Sequence, residues 1–443
     1  MKILGNSEII TLNDRKEFIH DGAILVEGNK ITDIGSTDTL RIKYPHAEYF
    51  NLHHKIVVPG FLNAHMHLYS TFARGMTLKG APPAKFKEIL EKLWWKLDKN
   101  LTTEEEIYYS AVVPLIEGIK SGTTGIIDHH ASFGLVPGSL DILEKAAIDI
   151  GVRSVLCYEV SDRWGKDLSK QSINENSRFI EKTRKNKNSL TGSTFGLHAS
   201  LTLSNETLEE CSSEAKRLGV GFHVHVAEGI EDVENSLKKS KKRVVERLNN
   251  FGIFSDKTLA IHCVHINKDE IDILTETKAM VVHNPESNMN NAVGVAPLLE
   301  MNDAGVLIGL GTDGYTPSML ESAKVAYILP KLNYGDPRVG NEIVENMLFK
   351  NNGIFFGKFF DNPLGIIKKD AFADIVMLDY YPPTPLNENN FFYHLIFGIR
   401  ESAIDSVMIN GEFVLFNKKF TKIDEEEINY KASKIAGKFW EKI

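Results

Sequence analysis

Eight short apolar runs, each closed by a residue able to hold a metal or move a proton, constrain this chain more than any other feature. The first, Ile56-Val57-Val58-Pro59-Gly60-Phe61-Leu62, reads as one buried strand and ends at His65 and His67. Thr124-Gly125-Ile126-Ile127 ends at Asp128-His129-His130, Arg153-Ser154-Val155-Leu156-Cys157 at Tyr158-Glu159, and Phe195-Gly196-Leu197 at His198. Phe222-His223-Val224 ends at His225, with Glu228 three residues on, and Leu259-Ala260-Ile261 at His262. Met280-Val281-Val282 ends at His283-Asn284, and Val306-Leu307-Ile308-Gly309-Leu310 at Asp313. Longer amphipathic segments separate the runs, the pattern of βα units around a parallel sheet. Eight such units closing on themselves make an α/β fold of the (β/α)8 TIM-barrel type, whose chemistry gathers at the carboxyl ends of the strands. A doubly wound open sheet also uses such runs, but its Gly-rich phosphate loop is missing. Gly122-Thr123-Thr124-Gly125 precedes the second strand and opens no helix.

Both ends of the chain have a different character. Ile9-Ile10-Thr11-Leu12, Gly22-Ala23-Ile24-Leu25-Val26 and Lys30-Ile31-Thr32-Asp33-Ile34 read as strands, with Gly28-Asn29 as a tight turn. Near the other end, Ala373 to Leu378 is a strand candidate, and Asn410-Gly411 is a hairpin turn between Ser406–Ile409 and Glu412–Phe416. Each end alone has few strands for a stable core. Residues 1–57 and 366–425 are therefore expected to build one small β-sandwich around a barrel of residues 58–365, with 426–443 as a C-terminal helix.

A net charge of −8 over 443 residues speaks against a nucleic-acid footprint. The basic runs Lys182-Thr183-Arg184-Lys185-Asn186-Lys187 and Lys238-Lys239-Ser240-Lys241-Lys242-Arg243 read as solvated helix faces or loops. Cys157, Cys211 and Cys263 form no zinc-knuckle spacing and fit a reducing compartment. Met1 to Glu8 lacks an apolar core of signal-peptide length, and no stretch is long and apolar enough to span a bilayer. The expectation is a cytoplasmic protein that acts on a small molecule and has no nucleic-acid or membrane partner.

In a barrel, His65, His67, His225, His262 and Asp313 share one mouth. Residues i and i+2 of a strand point the same way, so His65 and His67 project together. Three neutral imidazoles and a carboxylate suit Zn²⁺ or another divalent first-row ion and leave a position open for water. Such an ion lowers the pKa of its water toward neutrality, which makes hydroxide available at pH 7. By strict alternation Glu228 would face away from His225. It must then lie past the strand end, above the metal, where a carboxylate serves as a proton shuttle. Asp313 can both touch the metal and take the proton of its water.

These residues resemble the amidohydrolase superfamily, in its cytosine- and guanine-deaminase-like branch of metal-dependent aminohydrolases. Pro59-Gly60-Phe61-Leu62-Asn63-Ala64-His65-Met66-His67 is similar to the first-strand motif, and His225-Val226-Ala227-Glu228 to the strand-five His-x-x-Glu. Ile261-His262-Cys263, Pro285-Glu286-Ser287-Asn288 and Gly311-Thr312-Asp313-Gly314 resemble its strand-six, strand-seven and strand-eight segments. Asp128-His129-His130-Ala131-Ser132, Leu93-Trp94-Trp95 and Ser287-Asn288-Met289-Asn290-Asn291 bring the chain nearest the SsnA-type aminohydrolases. The resemblance implies that His65, His67, His225 and Asp313 hold the metal. It also implies that Glu228 protonates a ring or imine nitrogen, that His262 orients the attacking hydroxide, and that the protein is a dimer. Binuclear relatives carry a modified lysine on strand four. Here that run ends at His198, which favours one metal ion, and with it deamination over ring-amide opening.

Further residues are candidates for the pocket wall. His198 closes strand four and is expected at the substrate, with a loop hydrogen bond as the alternative. One of His129 and His130 is expected to face inward. His223 reads as a packed barrel histidine one layer below His225, and His283 as structural or catalytic. Arg74 and Trp95 lie after strand one, in a segment able to form a lid. Trp95 would stack a planar ring or pack in an amphipathic helix. Glu159, Asp162 and Arg163 would read polar groups, and Asn288 either touches substrate or caps a loop.

The expected activity is hydrolytic deamination of an amino-substituted N-heterocycle, purine- or pterin-like, by metal-bound hydroxide. Zn²⁺ is the expected metal, with Fe²⁺, Mn²⁺ or Ni²⁺ suited to similar ligands. The same site would serve displacement of chloride or an alkylamine, and hydrolysis of a linear formimino group or an amide is the rival enzymatic reading. A non-catalytic metal-binding scaffold is the alternative of another class, but it has no need of Glu228.

Overall fold

The computed structural model describes residues 1–443 apart from Asp14, Lys79 and Lys187. Lys187, the end of the first basic run, thus lies outside the described residues. Among the described residues, parallel strands run in chain order as Phe61–Met66, Thr123–Asp128, Arg153–Leu156, Thr191–Ser193 with Phe195–Ala199, Phe222–Val226, Leu259–His262, Met280–His283 and Ile308–Leu310. The fourth is interrupted at Thr194: its first half pairs with the third strand and its second half with the fifth. Closure comes at the other seam, where the Thr312 and Asp313 amides donate to the His65 carbonyl at 2.9 and 3.0 Å. Helices wrap this barrel, and their starts are legible in the residues. Thr103 with Glu106 forms a capping box for Glu104–Lys120, and Asn267 with Glu270 does so for Lys268–Thr277.

The first apolar run is two strands rather than one, which corrects the sequence expectation. Ile56–Pro59 belongs to the terminal sheet and Phe61–Met66 to the barrel. Gly60 is the break: a Cβ there would stand 2.1 Å from the Thr124 hydroxyl, so only glycine lets the chain cross that close to the second strand. Its amide donates to the Asp374 carbonyl at 2.9 Å.

Among the described residues, strands from both ends form one nine-stranded sheet. Ile375–Leu378 lies antiparallel to Ile56–Pro59, which in turn pairs with Lys2–Ile10, so the sheet is continuous from one terminus to the other. It curls until the turn at Gly28-Asn29 reaches the other terminal segment, where the Ala373 amide donates to the Asn29 carbonyl at 2.9 Å. Leu4, Ile24, Val26, Val57, Ile375, Met377 and Met408 fill the enclosed core, a small sandwich built from both termini. The hairpin at Asn410-Gly411 is present, with φ of 54° and 78° at its two residues. The last helix is Glu425–Trp440, and no helix among the described residues is long and apolar enough to cross a membrane.

Arg153, on the third barrel strand, joins the two parts. It is fully buried, and its Nε and Nη2 donate to the two Asp374 oxygens at 2.8 and 2.9 Å. The guanidinium lies 4.0 Å from the Phe372 ring centroid, and the Asn410 amide also donates to Asp374, at 2.8 Å. Removing one partner leaves a desolvated charge uncompensated, at a cost of about 3–5 kcal/mol. Asp374→Asn is therefore expected to lower unfolding free energy in urea by that amount, and the double variant Arg153→Met/Asp374→Leu to recover part of it. A single variant as stable as the parent contradicts this account.

Candidate active site

The carboxyl ends of the barrel strands bring His65, His67, His225 and Asp313 together, with their ligand-capable atoms all within 4.8 Å of one another. His65 sits near the end of the first strand and His67 two residues on, as the period of a strand requires. His262 and Asp313 adopt left-handed backbone, with φ of 71° and 57°. Non-glycine residues held this way cost on the order of 1–3 kcal/mol each and cluster at functional sites. Here the turn aims both side chains toward the barrel axis.

Hydrogen bonds settle which face of each imidazole is free. His67 Nδ1 donates to the His129 carbonyl at 2.6 Å, and His225 Nδ1 to the His198 carbonyl at 2.8 Å. A carbonyl can only accept, so each Nδ1 carries a hydrogen, and in the neutral ring this leaves Nε2 with its lone pair. These two Nε2 atoms face each other at 3.2 Å, a distance that suits a metal ion or a proton between them but not two bare lone pairs. His65 Nε2 is buried without a hydrogen-bond partner, and Asp313 Oδ1 lies 3.6 Å from it and 3.2 Å from His67 Nε2. Donors bound at about 2.0–2.2 Å to one tetrahedral ion stand roughly 3.3 Å apart. The residues fit a divalent metal ion.

Two further groups flank that point. His262 Nδ1 donates to Asn288 Oδ1 at 2.8 Å, which leaves a second buried Nε2 unpartnered. That nitrogen stands 3.5 Å from Glu228 Oε2 and 3.6 Å from Asp313 Oδ2. Burial, with the Asp313 charge adding to it, pushes the Glu228 carboxyl well above the usual carboxylate range; the Asn291 amide, donating to Oε1 at 3.3 Å, opposes this. The buried setting of Glu228 favours the protonated form. For Asp313, burial acts upward, but the imidazoles of His65, His67 and His262 packed against it outweigh this and hold the carboxyl well below its ordinary value. Two carboxyl groups held in opposite directions by their surroundings face the same centre.

A cavity of about 810 Å³, its open mouth included, rises above this floor. Phe86, Leu90, Trp94 and Trp95 roof it, from the segment that follows the first strand. Leu90–Trp94 there is π-helical, a distortion often found at functional sites. Glu159, Arg163 and His198 form a wall, and Trp95 stands edge-on to His198 with ring centroids 6.4 Å apart.

Several sequence expectations are corrected by position. Arg74 lies outside the cavity, about half exposed, with its guanidinium on both oxygens of Glu117 at 2.6 and 2.8 Å. His129 is the inward one of the two neighbours, but it sits beneath the floor, fully buried, with Nε2 donating to the Leu197 and His223 carbonyls. Asn288 holds His262 from below and does not line the cavity. Asp162 accepts from the Ser204 amide and the Thr207 hydroxyl, at a helix start rather than a wall. His283 is fully buried, and neither of its ring nitrogens has a hydrogen-bond partner.

Sequence reasoning missed Ser287, whose hydroxyl donates to Asp313 Oδ2 at 2.5 Å, and Asn291, which holds Glu228. Both lie in a segment singled out for its resemblance, but a serine and an asparagine on a short helix carry no metal-ligand or periodic signal. Asp98 was missed too; it is buried in the cavity wall and ion-paired with Arg163.

The amidohydrolase family model matches residues 56–414. The chain belongs to the amidohydrolase family. A 5-methylthioadenosine/S-adenosylhomocysteine deaminase from Syntrophomonas wolfei is 31% identical over 446 residues, covering 98% of each chain. A 5'-deoxyadenosine deaminase from Methanocaldococcus jannaschii is 31% identical over 418 residues, covering 93% of this chain and 95% of that one. Among solved structures, an adenosine deaminase from Xanthomonas campestris with bound zinc superposes with a TM-score of 0.86 at 19% identity, covering 99% and 98% of the two chains. The resemblance drawn from the motifs, the barrel with its terminal sandwich, and the expectation of a deaminating hydrolase agree with these amidohydrolase relatives.

Metal analysis of purified variants tests the ligand set. His67→Ala, His225→Ala and Asp313→Asn are expected to lose most of the bound divalent metal, whereas Glu228→Gln keeps it. A full complement of metal in His225→Ala removes that residue from the set.

Proposed function

We propose that this amidohydrolase hydrolytically deaminates the adenine-type ring of a nucleoside-like substrate, with zinc as its metal. What carries the proposal is the opposition of Glu228, whose proton burial helps retain, and Asp313, whose ionised form its histidine neighbours favour, on either side of His262 and beside a cluster of metal-ligating atoms. The relatives named as deaminases of adenine nucleosides support the substrate class, and three neutral nitrogens with one carboxylate suit zinc.

His65, His67, His225 and Asp313 would hold the metal, which supplies a water molecule activated at neutral pH. Asp313 takes a proton from the attacking water, and the Ser287 hydroxyl holds Oδ2 in place for that transfer. Glu228 delivers its proton to the ring nitrogen beside the attacked carbon, which raises that carbon's electrophilicity. His262, held by Asn288, orients the nucleophile between the two carboxyl groups. The tetrahedral carbon then collapses: Asp313 passes its proton to the amino group, ammonia leaves, and the hydroxyl proton returns to Glu228 as the carbonyl forms. Trp95, His198 and Glu159 bear on the substrate from roof and wall, where Glu159 accepts N–H or O–H groups.

Ammonia release over a panel of adenine nucleosides, guanine, pterins and a formimino compound tests this proposal. Turnover confined to adenine nucleosides is expected, and turnover of the formimino compound alone would overturn it. Glu228→Gln should lower kcat by about 10²–10⁴-fold at unchanged metal content. The protonated form of Glu228 is the active one, so kcat/KM should fall at alkaline pH as that proton is lost. A profile that instead rises steadily through the alkaline range assigns Glu228 another role.

A further inference from the structure

We propose that Cys157 and His223 are positioning residues that set the ring tautomer of His65, the one metal-site histidine whose Nδ1 meets no backbone carbonyl. His67 and His225 each donate Nδ1–H to a carbonyl, which leaves no choice of tautomer. His65 Nδ1 instead meets His223 Nε2 at 2.7 Å, and either ring can carry the shared hydrogen.

The choice is made from outside that pair. His223 Nδ1 lies 3.6 Å from Cys157 Sγ, which lies 3.3 Å from the Asp128 carbonyl oxygen. The oxygen can only accept, so the thiol turns its S–H toward it and leaves sulfur as an acceptor. Sulfur then takes the His223 Nδ1–H, and the neutral His223 ring keeps its lone pair at Nε2. His65 Nδ1–H donates into that lone pair, and His65 Nε2 is left bare toward His67 and Asp313. The opposite polarity would put a hydrogen on His65 Nε2, where it excludes a cation. Cys157, His223, His65 and Asp128 are all fully buried, so bulk water does not compete for these bonds. The relay runs from the second and third strands through the fifth to the first, and it reads one backbone oxygen out as the direction of a lone pair.

Long-range ¹H–¹⁵N NMR on histidine-labelled, metal-free protein tests this without any substitution in the relay, with His65 assigned by the signals lost in His65→Gln. The Nδ1–H tautomer of His65 is expected, and the Nε2–H tautomer overturns the proposal. Zinc affinity, measured by chelator competition, should fall about 10–100-fold in His223→Leu. It should recover to within a few-fold of the parent in His223→Gln, whose amide oxygen still accepts. Cys157→Val should move His65 toward Nε2–H and weaken zinc binding, and Cys157→Ser should restore both. His223→Leu or Cys157→Val with unchanged zinc affinity and an unchanged His65 tautomer also overturns it. The proposal rests on the metal-site reading; a parent chain that binds no zinc refutes that reading, while the tautomer of His65 is read independently of zinc.

Discussion

Ligand-capable atoms of three imidazoles and a carboxylate, aimed at one point, set the terms for the rest of this structure. Each imidazole is turned by what its other nitrogen does, and two of those partners are backbone carbonyls belonging to neighbouring strands. The orientation of the ligands is therefore a property of the barrel wall. A parallel barrel suits this arrangement because its strands all end at one mouth, where residues distant in the chain become neighbours. The left-handed backbone of His262 and Asp313 shows where the wall departs from regular geometry to do so.

Around that centre the molecule is held by a small number of desolvated ion pairs. Arg153 and Asp374 lock the third barrel strand to the sheet made from both termini. Arg163 and Asp98 fasten the roof to the loop after the same strand, with the Trp164 indole also on Asp98 at 3.4 Å. Buried pairs add little net stability over apolar packing but are costly to break. Each acts as a specific seat for the element it holds. The roof that carries Trp94 and Trp95 is in this way tied to the wall that carries Glu159, so cavity shape and barrel geometry are not independent.

Much of the site was legible because strand chemistry is local. Apolar runs announce buried strands, and whatever follows them must emerge at the strand ends, so His65, His67, His225, His262 and Asp313 could be placed on one mouth before any coordinates. Other residues were not legible, because their roles depend on partners far away in sequence. Arg74 looked like a substrate contact and pairs with Glu117. His129 looked like a wall residue and lies beneath the floor. Ser287 and Asn291 carry no pattern and matter only because Asp313 and Glu228 arrive beside them. His223 read as packing, yet its contact with His65 links two strands 158 residues apart in sequence.

From the residues alone came the fold class, the pairing of the two termini into one β structure, and the placement of Glu228, Asp313 and the clustered histidines at one mouth. These follow from periodicity, from strand-end position and from the limited list of side chains that bind cations or move protons. Tertiary structure decided which nitrogen of each ring faces the centre, which carboxyl burial pushes upward, which histidine lines the cavity and which supports it, and where Gly60 divides one apolar run between two sheets. Those are questions of direction, burial and contact. They are answered only when separate stretches of chain are packed together, because hydrogen-bond polarity and desolvation belong to pairs of groups and not to single residues.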